Sequence, residues 1–320
     1  MITYRRYKNT DPPALVEVWN ESLNARGSYP VRTPALFERW IFSKPFFRHD
    51  DLCVAWDDEA NKLAGFSISG FAPDEERTGL SDRGIICGVL VRPDYRKRGI
   101  GRELTRRAEE YLRGRGASDV VFGSMWPNNP YLFGLYGGSN CPGVLASEPE
   151  ADGFLRHIGY EKAERCIVLH KKLDTPLTVA DTRFGVLRRR YETQVLRNAG
   201  VASWWEECVW GALEPVEMRL TDKLTDLPAA RTVVWELEGF GWKWNYPAAG
   251  IIDVQVRPDL RKQGLGKLLL SQMLRFLQDQ FFAVAELQAP AADPAAVGMC
   301  QSLGFEQVDE GFVYRRNAST

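Results

Sequence analysis

The chain has 320 residues, 44% hydrophobic and 26% charged, which is typical of a globular protein long enough for two domains. Its formal net charge of −1 gives no overall field toward nucleic acid or a membrane surface, and no run of about 20 apolar residues could cross a bilayer. Six scattered cysteines, three distant histidines and no signal-peptide core predict a cytoplasmic protein without a metal centre, and without nucleic-acid or membrane partners.

Helices and strands are predicted in the first 83 residues. Pro12 and Pro13 are typical of a helix start. The segments Leu52–Trp56 and Leu63–Phe71, which are rich in apolar residues, flank a polar turn and predict two antiparallel strands. The charged segment Ala72–Arg83 is predicted to be a mobile loop. Two further predicted elements are a strand over Ile2–Tyr7 and a helix over Pro34–Phe42.

The next segment, Val89–Leu104, reads VLVRPDYRKRGIGREL. Its apolar start predicts a buried strand, which Pro93 ends because proline has no N–H to donate. The basic loop Arg96–Gly101 follows. A helix is predicted after it, because apolar residues recur at every fourth position. These are Ile100, Leu104, Ala108 and Leu112.

An insertion rich in glycine, proline and asparagine follows a predicted strand over Val120–Met125. It reads PNNPYLFGLYGGSNCPGVLASEPE and begins after Trp126. Its aromatic residues favour an ordered loop, and we expect it to lie at the acceptor site or at an interface. A helix ending near Gly159 and a strand over Cys166–Lys171 are predicted to complete this half.

A linker is predicted near Asp174–Pro176, which divides the chain into domains 1–173 and 174–320. The second half is predicted to begin with two helices and to continue with strands around a second basic loop. The helices are predicted over Phe184–Asn198 and Ser203–Ala212, with a third ending near Gly304, and the strands over Val216–Leu220, Thr232–Phe240, Ala283–Leu287 and Gly311–Arg315.

The second loop repeats the first. Val254–Leu269 reads VQVRPDLRKQGLGKLL, and Arg257 follows Arg92 by 165 positions. Each copy passes from a strand through two glycines into a helix, whose first N–H groups are unpaired and carry the positive end of the dipole. Glycine also lets a phosphate approach the backbone. We therefore expect both loops to bind a diphosphate.

The pattern Arg-x-x-Gly-x-Gly between a strand and a helix, present at Arg96–Gly101 and Arg261–Gly266, resembles the acyl-coenzyme A loop of the GNAT acetyltransferase superfamily. The resemblance implies an α/β fold with a mixed sheet flanked by helices, repeated in two tandem domains. It implies acetyl-CoA as the co-substrate, with the diphosphate on the loops and the pantetheine arm along the preceding strands. The coenzyme-binding residues expected are Val89, Val91, Arg96, Lys97, Arg98, Gly99, Ile100, Gly101, Arg102 and Asn128 in the first half, and Val254, Val256, Arg261, Lys262, Gln263, Gly264, Leu265, Gly266 and Lys267 in the second.

In many members of the superfamily a tyrosine acts as an acid, four residues before a glycine-aromatic pair near the end of the domain. That pair is Gly159-Tyr160 in the first half and Gly304-Phe305 in the second, and neither half has the tyrosine. Its places are taken by Leu155 and Cys300. Many members of the superfamily also have an asparagine after the late strand. In the first half its place falls on Glu148 or, counted from the strand, on Asn128. Tyr136 in the insertion is the candidate replacement acid, with simple packing as the alternative. Cys300 is interpreted as a buried helix residue.

A candidate base is Asp253, which interrupts the apolar strand before the second loop. A carboxylate there could act through water with a raised pKa, or could form a salt bridge to a neighbouring strand. Glu236 and Glu238 are second candidates on one face of the preceding strand. Nearby aromatic residues could wall an acceptor pocket or form inter-domain core. They are Trp235, Trp242, Trp244 and Tyr246.

Together, the two loops and the resemblance to the GNAT superfamily predict an N-acetyltransferase. It would pass acetyl directly to an amine of a small molecule, as a monomer or homodimer. Two alternatives remain open at this stage. One or both halves could bind acyl-CoA as a sensor or scaffold without turnover, which the missing tyrosines motivate. The acceptor could also be a protein lysine or N-terminus.

Overall fold

The computed structural model describes residues 1–177, 179, 181–197 and 200–316. Within these residues, thirteen strands form one mixed sheet with helices packed against it. The strands are β1 (Ile2–Arg6), β2 (Leu52–Asp57), β3 (Lys62–Pro73), β4 (Leu80–Val91), β5 (Asp119–Phe122), β6 (Val144–Leu145), β7 (Tyr160–Lys172), β8 (Tyr191–Arg197), β9 (Val216–Asp222), β10 (Pro228–Glu236), β11 (Ala248–Val256), β12 (Val284–Pro290) and β13 (Glu306–Arg316).

The helices follow the alternation expected from the sequence. They are α1 (Pro12–Ser22), α2 (Ala35–Phe37), which continues as a π-helical turn over Glu38–Phe42, α3 (Ile100–Gly114), α4 (Ala151–His157), α5 (Phe184–Arg190), α6 (Trp204–Trp210), α7 (Glu238–Trp244), α8 (Leu265–Asp279) and α9 (Pro294–Ser302). The four-residue apolar spacing predicted for the helix after the first loop is confirmed, because Ile100, Leu104, Ala108 and Leu112 are buried in α3. Helix α8 buries Leu265, Leu269, Met273 and Leu277 at the same spacing.

The two halves exchange strands at the centre of the sheet. The sheet order is β1-β2-β3-β4-β5-β13-β7-β12-β11-β10-β9-β8, so β13 of the second half lies beside β5 of the first. In return, β7 of the first half pairs with β12 of the second, in antiparallel register from Val284 and Lys172 to Pro290 and Cys166. Each half therefore completes the sheet of the other, and the boundary between 173 and 174 stays a prediction.

The predicted mobile loop over Ala72–Arg83 is wrong. Strand β3 continues to Pro73 and β4 begins at Leu80, so only a short turn separates them. Asp74 caps this turn by accepting the backbone N–H of Thr78 at 2.8 Å. The sequence concealed the start of β4 because its first four residues are exposed or half-buried, which gives no apolar run.

Two predictions in the second half also need correction. The helix predicted over Phe184–Asn198 ends at Arg190, and Tyr191–Arg197 forms the edge strand β8. The strand predicted over Thr232–Phe240 ends at Glu236, where helix α7 soon follows. In both places a turn of helix directly adjoins a strand, and an edge strand without a continuous apolar run is read poorly from periodicity.

The largest hydrophobic cluster is shared between the halves. Trp19 and Trp40 of the first half pack in it with Trp205 and Trp235 of the second. The indole rings of Trp40 and Trp235 have centroids 6.4 Å apart. Trp235 therefore belongs to the inter-domain core, which was one of the two interpretations of the second half's aromatic residues. Trp244 and Tyr246 pack against this cluster, and Trp242 is 48% exposed.

The insertion after Trp126 lies at the contact between the halves, which is one of its two predicted places. The N–H of Ser139 donates to Glu286 Oε1 at 2.6 Å, and the Ser139 carbonyl accepts from the indole of Trp235 at 3.1 Å. The Gln288 amide donates to the carbonyl of Gly137 at 2.8 Å. Backbone groups of the insertion thus form hydrogen bonds with polar side chains of the second half.

Candidate active site

The first loop has a backbone that leaves N–H groups free at a helix start. Lys97 and Gly99 are left-handed, with φ of 60° and 80°. The first i→i−4 bond of α3 runs from the Glu103 N–H to the Gly99 carbonyl at 3.0 Å. The N–H groups of residues 100–102 precede that bond, so they have no partner within the helix and are available to an anion.

The second loop has the same backbone. Lys262 and Gly264 are left-handed, with φ of 62° and 96°. The Leu268 N–H makes the corresponding bond to the Gly264 carbonyl at 3.0 Å. The repeat seen in the sequence is therefore a repeat of conformation, and glycine is required where φ is strongly positive.

The loop arginines tie each loop to the strand that precedes it. Arg96 Nε donates to the Val91 carbonyl at 3.2 Å, and Arg261 Nε donates to the Val256 carbonyl at the same distance. Arg96 also bridges the Ser22 carbonyl and the Glu150 carboxylate, both at 3.0 Å. Sequence reasoning assigned these guanidinium groups to the anion and missed these bonds, which depend on carbonyls that only the fold brings near.

A cavity of about 770 Å³ opens beside the first loop. Parallel pairing of β4 with β5 stops at Ile86 and Phe122, so β4 diverges from its neighbour beyond that point. The opening between them is lined by the predicted residues Val89, Val91, Arg96, Lys97, Gly99, Ile100, Gly101 and Arg102. A Cβ added to Gly99 would meet nothing within 4 Å, so the loop faces open space.

Charged residues of the segment between the halves contact the second loop. A Cβ on Gly264 would lie 3.0 Å from the guanidinium carbon of Arg183. Asp181 forms an ion pair with Arg183 at 2.7 Å and lies 3.8 Å from the ammonium of Lys267. Hydrogen bonds from Arg183 hold the pKa of Asp181 well below its usual value. Charged side chains of the chain itself therefore stand against this loop.

Tyr136, the candidate acid, lines the cavity of the first half. Its Oη accepts the backbone N–H of Leu145 at 3.0 Å, so its own hydrogen remains available to donate. Burial, together with the negative charge of Glu148, raises the pKa of Tyr136 well above its usual value. The phenol therefore stays protonated, which is the form that a hydrogen-bond donor requires.

Asp253, the candidate base, is held in an ion pair with Arg231 of the neighbouring strand β10. Its side chain is 4% exposed. It sits in a left-handed bulge with φ of 53°, where the pairing of β10 with β11 changes register. The structure thus places Asp253 in the salt bridge that was the alternative to a catalytic role, and Glu236 and Glu238 lie on different elements.

Asn128 and Glu148, the two residues that could occupy the asparagine place, lie in different surroundings. Asn128 lies in the turn after Met125, where its N–H donates to the Met125 carbonyl at 2.7 Å, and it is not among the residues that line the cavity. Glu148 does line it. Sequence reasoning gave Glu148 no chemical role, and its only signal was that one of the two counts for the asparagine place falls on it.

The places of the missing tyrosine are buried and apolar. Leu155 lies in α4 and is 1% exposed, and Cys300 lies in α9 and is 0% exposed. Burial raises the pKa of the Cys300 thiol to about 12, which disfavours the thiolate that a nucleophile needs. The interpretation of Cys300 as a buried helix residue is confirmed.

Among the residues that the structure describes, no cluster of three or more His, Cys, Asp or Glu side chains is arranged to hold a metal ion. No helix within the same residues combines the length and apolar character needed to span a membrane.

A family model for acetyltransferases of the GNAT type matches residues 13–136 and 201–305, which is more than half of the chain. The chain belongs to the GNAT acetyltransferase family. It is therefore an acyltransferase with two tandem GNAT-like regions, in a family that uses acetyl-CoA as donor.

Relatives and solved structures agree with this assignment. A mycothiol acetyltransferase of Saccharopolyspora erythraea is 27% identical over 81% of this chain and 84% of its own. A tandem GNAT protein from the clavulanic acid biosynthesis pathway has a TM-score of 0.67 at 14% identity, covering 100% of this chain and 99% of its own. An N-myristoyltransferase of Saccharomyces cerevisiae with bound myristoyl-CoA has a TM-score of 0.59 at 9% identity, covering 99% and 79%.

Proposed function

We propose that the protein transfers the acetyl group of acetyl-CoA to an amine of a small molecule, and that the donor binds in the first half. The observation that carries this proposal is the cavity that joins the first loop to the open side of β4. The loop offers free N–H groups for the diphosphate, and the unpaired edge of β4 offers backbone groups for the pantetheine arm. Val89 and Val91 are the strand residues that would contact it.

The second loop takes no donor in this proposal while residues 181–183 cover it. Its backbone has the conformation of a diphosphate site, but Arg183 and Asp181 lie against Gly264 and Lys267. The residues from Val254 to Lys267 predicted to bind coenzyme would then keep the shape of a diphosphate loop and contact the segment between the halves. The second half would contribute strand β13 and part of the shared core.

The chemistry proposed is direct attack of the amine on the thioester. The amine nitrogen forms a bond to the carbonyl carbon, the C–S bond breaks, and coenzyme A leaves as a thiol. Tyr136 lies in the cavity with a free phenolic hydrogen and would donate a hydrogen bond to the departing sulfur. A thiol has a pKa of about 8.5, so its departure requires less acid assistance than an alkoxide.

A small-molecule acceptor is supported by two observations. Residues of the insertion and of α1 line the cavity of about 770 Å³, a volume that suits a compact substrate. The relative that covers most of this chain carries the name of an enzyme that acetylates a small molecule. The acceptor itself is not named by either observation.

An assay for released coenzyme A over a panel of amines, paired with calorimetry, tests the proposal. The panel should contain amino sugars, amino acids, polyamines and a lysine peptide. We expect one equivalent of acetyl-CoA bound and release of coenzyme A that depends on a small amine. Binding without turnover on any amine would instead support an acyl-CoA sensor, which the buried Leu155 and Cys300 favour. Turnover on the peptide alone would move the proposal to protein acetylation.

A further inference from the structure

Glu148 brings a carboxylate into the cavity that the proposed function leaves unassigned. The neighbouring acid Glu150 also lines the cavity, but Arg96 neutralises it at 3.0 Å. Glu148 instead accepts backbone N–H groups, from Ala25 at 3.1 Å and from Asn24. Such partners fix the direction of a carboxylate and leave its negative charge uncompensated by a direct ion pair.

The second half of the chain fixes the position of Glu148. Strand β6, three residues before it, exists only as a pair with β13, in which Leu145 faces Gly311. The N–H of Ala146 then donates to the Glu310 carbonyl at 2.8 Å, and the N–H of Glu148 donates back to the Leu145 carbonyl at 3.1 Å. The turn that carries the carboxylate is therefore built on a strand of the other half.

Lys243 of the second half holds the other side of the contact. Its ammonium donates to the Ala25 carbonyl at 2.5 Å and to the Ser28 hydroxyl at 2.7 Å. These bonds pin the turn after α1 whose Ala25 N–H meets Glu148. Both groups that frame the carboxylate are thus anchored by α7 and β13, which gives the second half a role in the first half's site.

The electrostatic surroundings suit a base. Burial raises the pKa of Glu148 above its usual value, although its backbone partners and the positive charges of Lys243 and Arg96 act in the opposite direction. A carboxyl group with a raised pKa accepts a proton more readily near neutral pH than an ordinary glutamate does. The phenol of Tyr136 lies close enough for the charge of Glu148 to raise its pKa.

We propose that Glu148 binds the ammonium group of the acceptor and takes its proton. This assignment rests on the proposed function. An ammonium R–NH3⁺ gives one proton to the carboxylate, and the amine so formed attacks the thioester carbonyl carbon. The C–S bond breaks, and the second proton of the nitrogen passes to the coenzyme A sulfur within the hydrogen bond from Tyr136. The products are the amide and the thiol, and Glu148 returns its proton to water.

The opposing interpretation is that Glu148 only caps the turn at Asn24 and Ala25. A glutamine separates the two roles, because its side-chain oxygen still accepts the Ala25 N–H but carries no charge and takes no proton. Two small nucleophiles sharpen the test. Ethylamine is protonated at neutral pH and requires a base, whereas hydroxylamine is already unprotonated and does not.

The experiment compares wild type, Glu148→Gln and a matched control, Glu164→Gln, whose side chain is 44% exposed on β7. We expect Glu148→Gln to slow acetyl transfer to ethylamine by about 100-fold or more, which is the usual scale for a general base. Transfer to hydroxylamine and the Kd for acetyl-CoA should stay within threefold of wild type. Glu164→Gln should match wild type with both nucleophiles.

Three outcomes overturn the assignment. Equal loss with both nucleophiles would mean that Glu148 supports only the shape of the site, and no loss with either would mean that it has no role. A wild-type protein that binds acetyl-CoA but acetylates neither nucleophile overturns the proposed function, and this inference with it. If Glu148→Gln lowers the Tm by more than a few degrees, Lys243→Met replaces it. That variant frees the turn and should slow ethylamine transfer by about tenfold while sparing hydroxylamine.

Discussion

The two basic loops have the same backbone and opposite surroundings. Both place a lysine and a glycine in the left-handed region and start a helix with free N–H groups. The first opens on a cavity, whereas Arg183 and Asp181 stand against the second. A motif therefore specifies the conformation of a diphosphate site, but its neighbours in space decide whether a diphosphate can enter.

The strongest test of this difference is a matched pair of substitutions. Gly101→Glu should weaken acetyl-CoA binding by more than 100-fold, about 2.7 kcal/mol, because a carboxylate would lie where we propose that the diphosphate binds. Gly266→Glu should leave binding within twofold, since we assign no donor to that loop. Both new side chains meet a flexible neighbour, at 3.2 Å for Phe154 and 3.0 Å for Met299, so their steric costs are similar. Calorimetry measures both; equal losses would erase the distinction between the loops.

The insertion after Trp126 should stabilise the contact between the two halves. A Cβ on Gly138 would lie 2.0 Å from Glu286 Oε1, at a residue with φ of 95°. Glu286 is fully buried and held by Ser139 and His170, so it has no room to move. We expect Gly138→Ala to lower the free energy of unfolding by about 3 kcal/mol.

Gly298→Ala is the control for that substitution, measured by urea denaturation. Gly298 lies within α9, and a Cβ there would meet nothing within 4 Å. It should raise the free energy of unfolding by roughly 0.5 kcal/mol, through the lower chain entropy of alanine. If the two variants have equal stability, the insertion does not hold the halves together.

Lys44 gives the contact between the halves a pH dependence. Its ammonium, buried against the end of α6, donates to the Val209 carbonyl at 3.2 Å, and burial lowers its pKa from 10.5 to about 8. Between those two pH values the folded chain holds fewer protons than the unfolded chain at this group, so stability from Lys44 rises with pH.

The size of this effect is measurable against Lys44→Met. From pH 7.5 to 9.5 the free energy of unfolding of wild type should gain about 2 kcal/mol relative to the variant. Urea denaturation at both pH values provides the measurement, and other titrating groups cancel in the comparison. A constant difference between the two proteins would show that Lys44 keeps an ordinary pKa.

The smallest effect on acetyl-CoA binding is expected when the charged residues beside the second loop are removed. Replacing both Asp181 and Arg183 by alanine removes the two charges that stand against it. We expect a second, weak equivalent of acetyl-CoA in calorimetry, because the free N–H groups of α8 remain in place. The same double substitution with Gly266→Glu is the control and should return the count to one. If the double variant still binds one equivalent, the covering segment is not what closes the loop.

Sequence reasoning found the loops, the insertion and most strands because each has a local cause. Left-handed glycines, helix starts and apolar spacing are properties of a few adjacent residues. It missed β8 and the first residues of β4, whose burial alternates without a run. It also gave Asp253 a catalytic alternative, because nothing nearby in sequence reveals that Arg231 faces it across the strand pair.

By itself the sequence determined that the chain contains two strand–loop–helix units with the conformation of a diphosphate site. Only the tertiary structure decided what surrounds them. The exchange of β7 and β13, the contact of Arg183 with the second loop, and the placing of Glu148 by β13 and Lys243 join residues far apart in the chain. Contacts of this kind leave no local pattern, because their energy comes from packing and pairing between elements that meet only when the whole sheet forms.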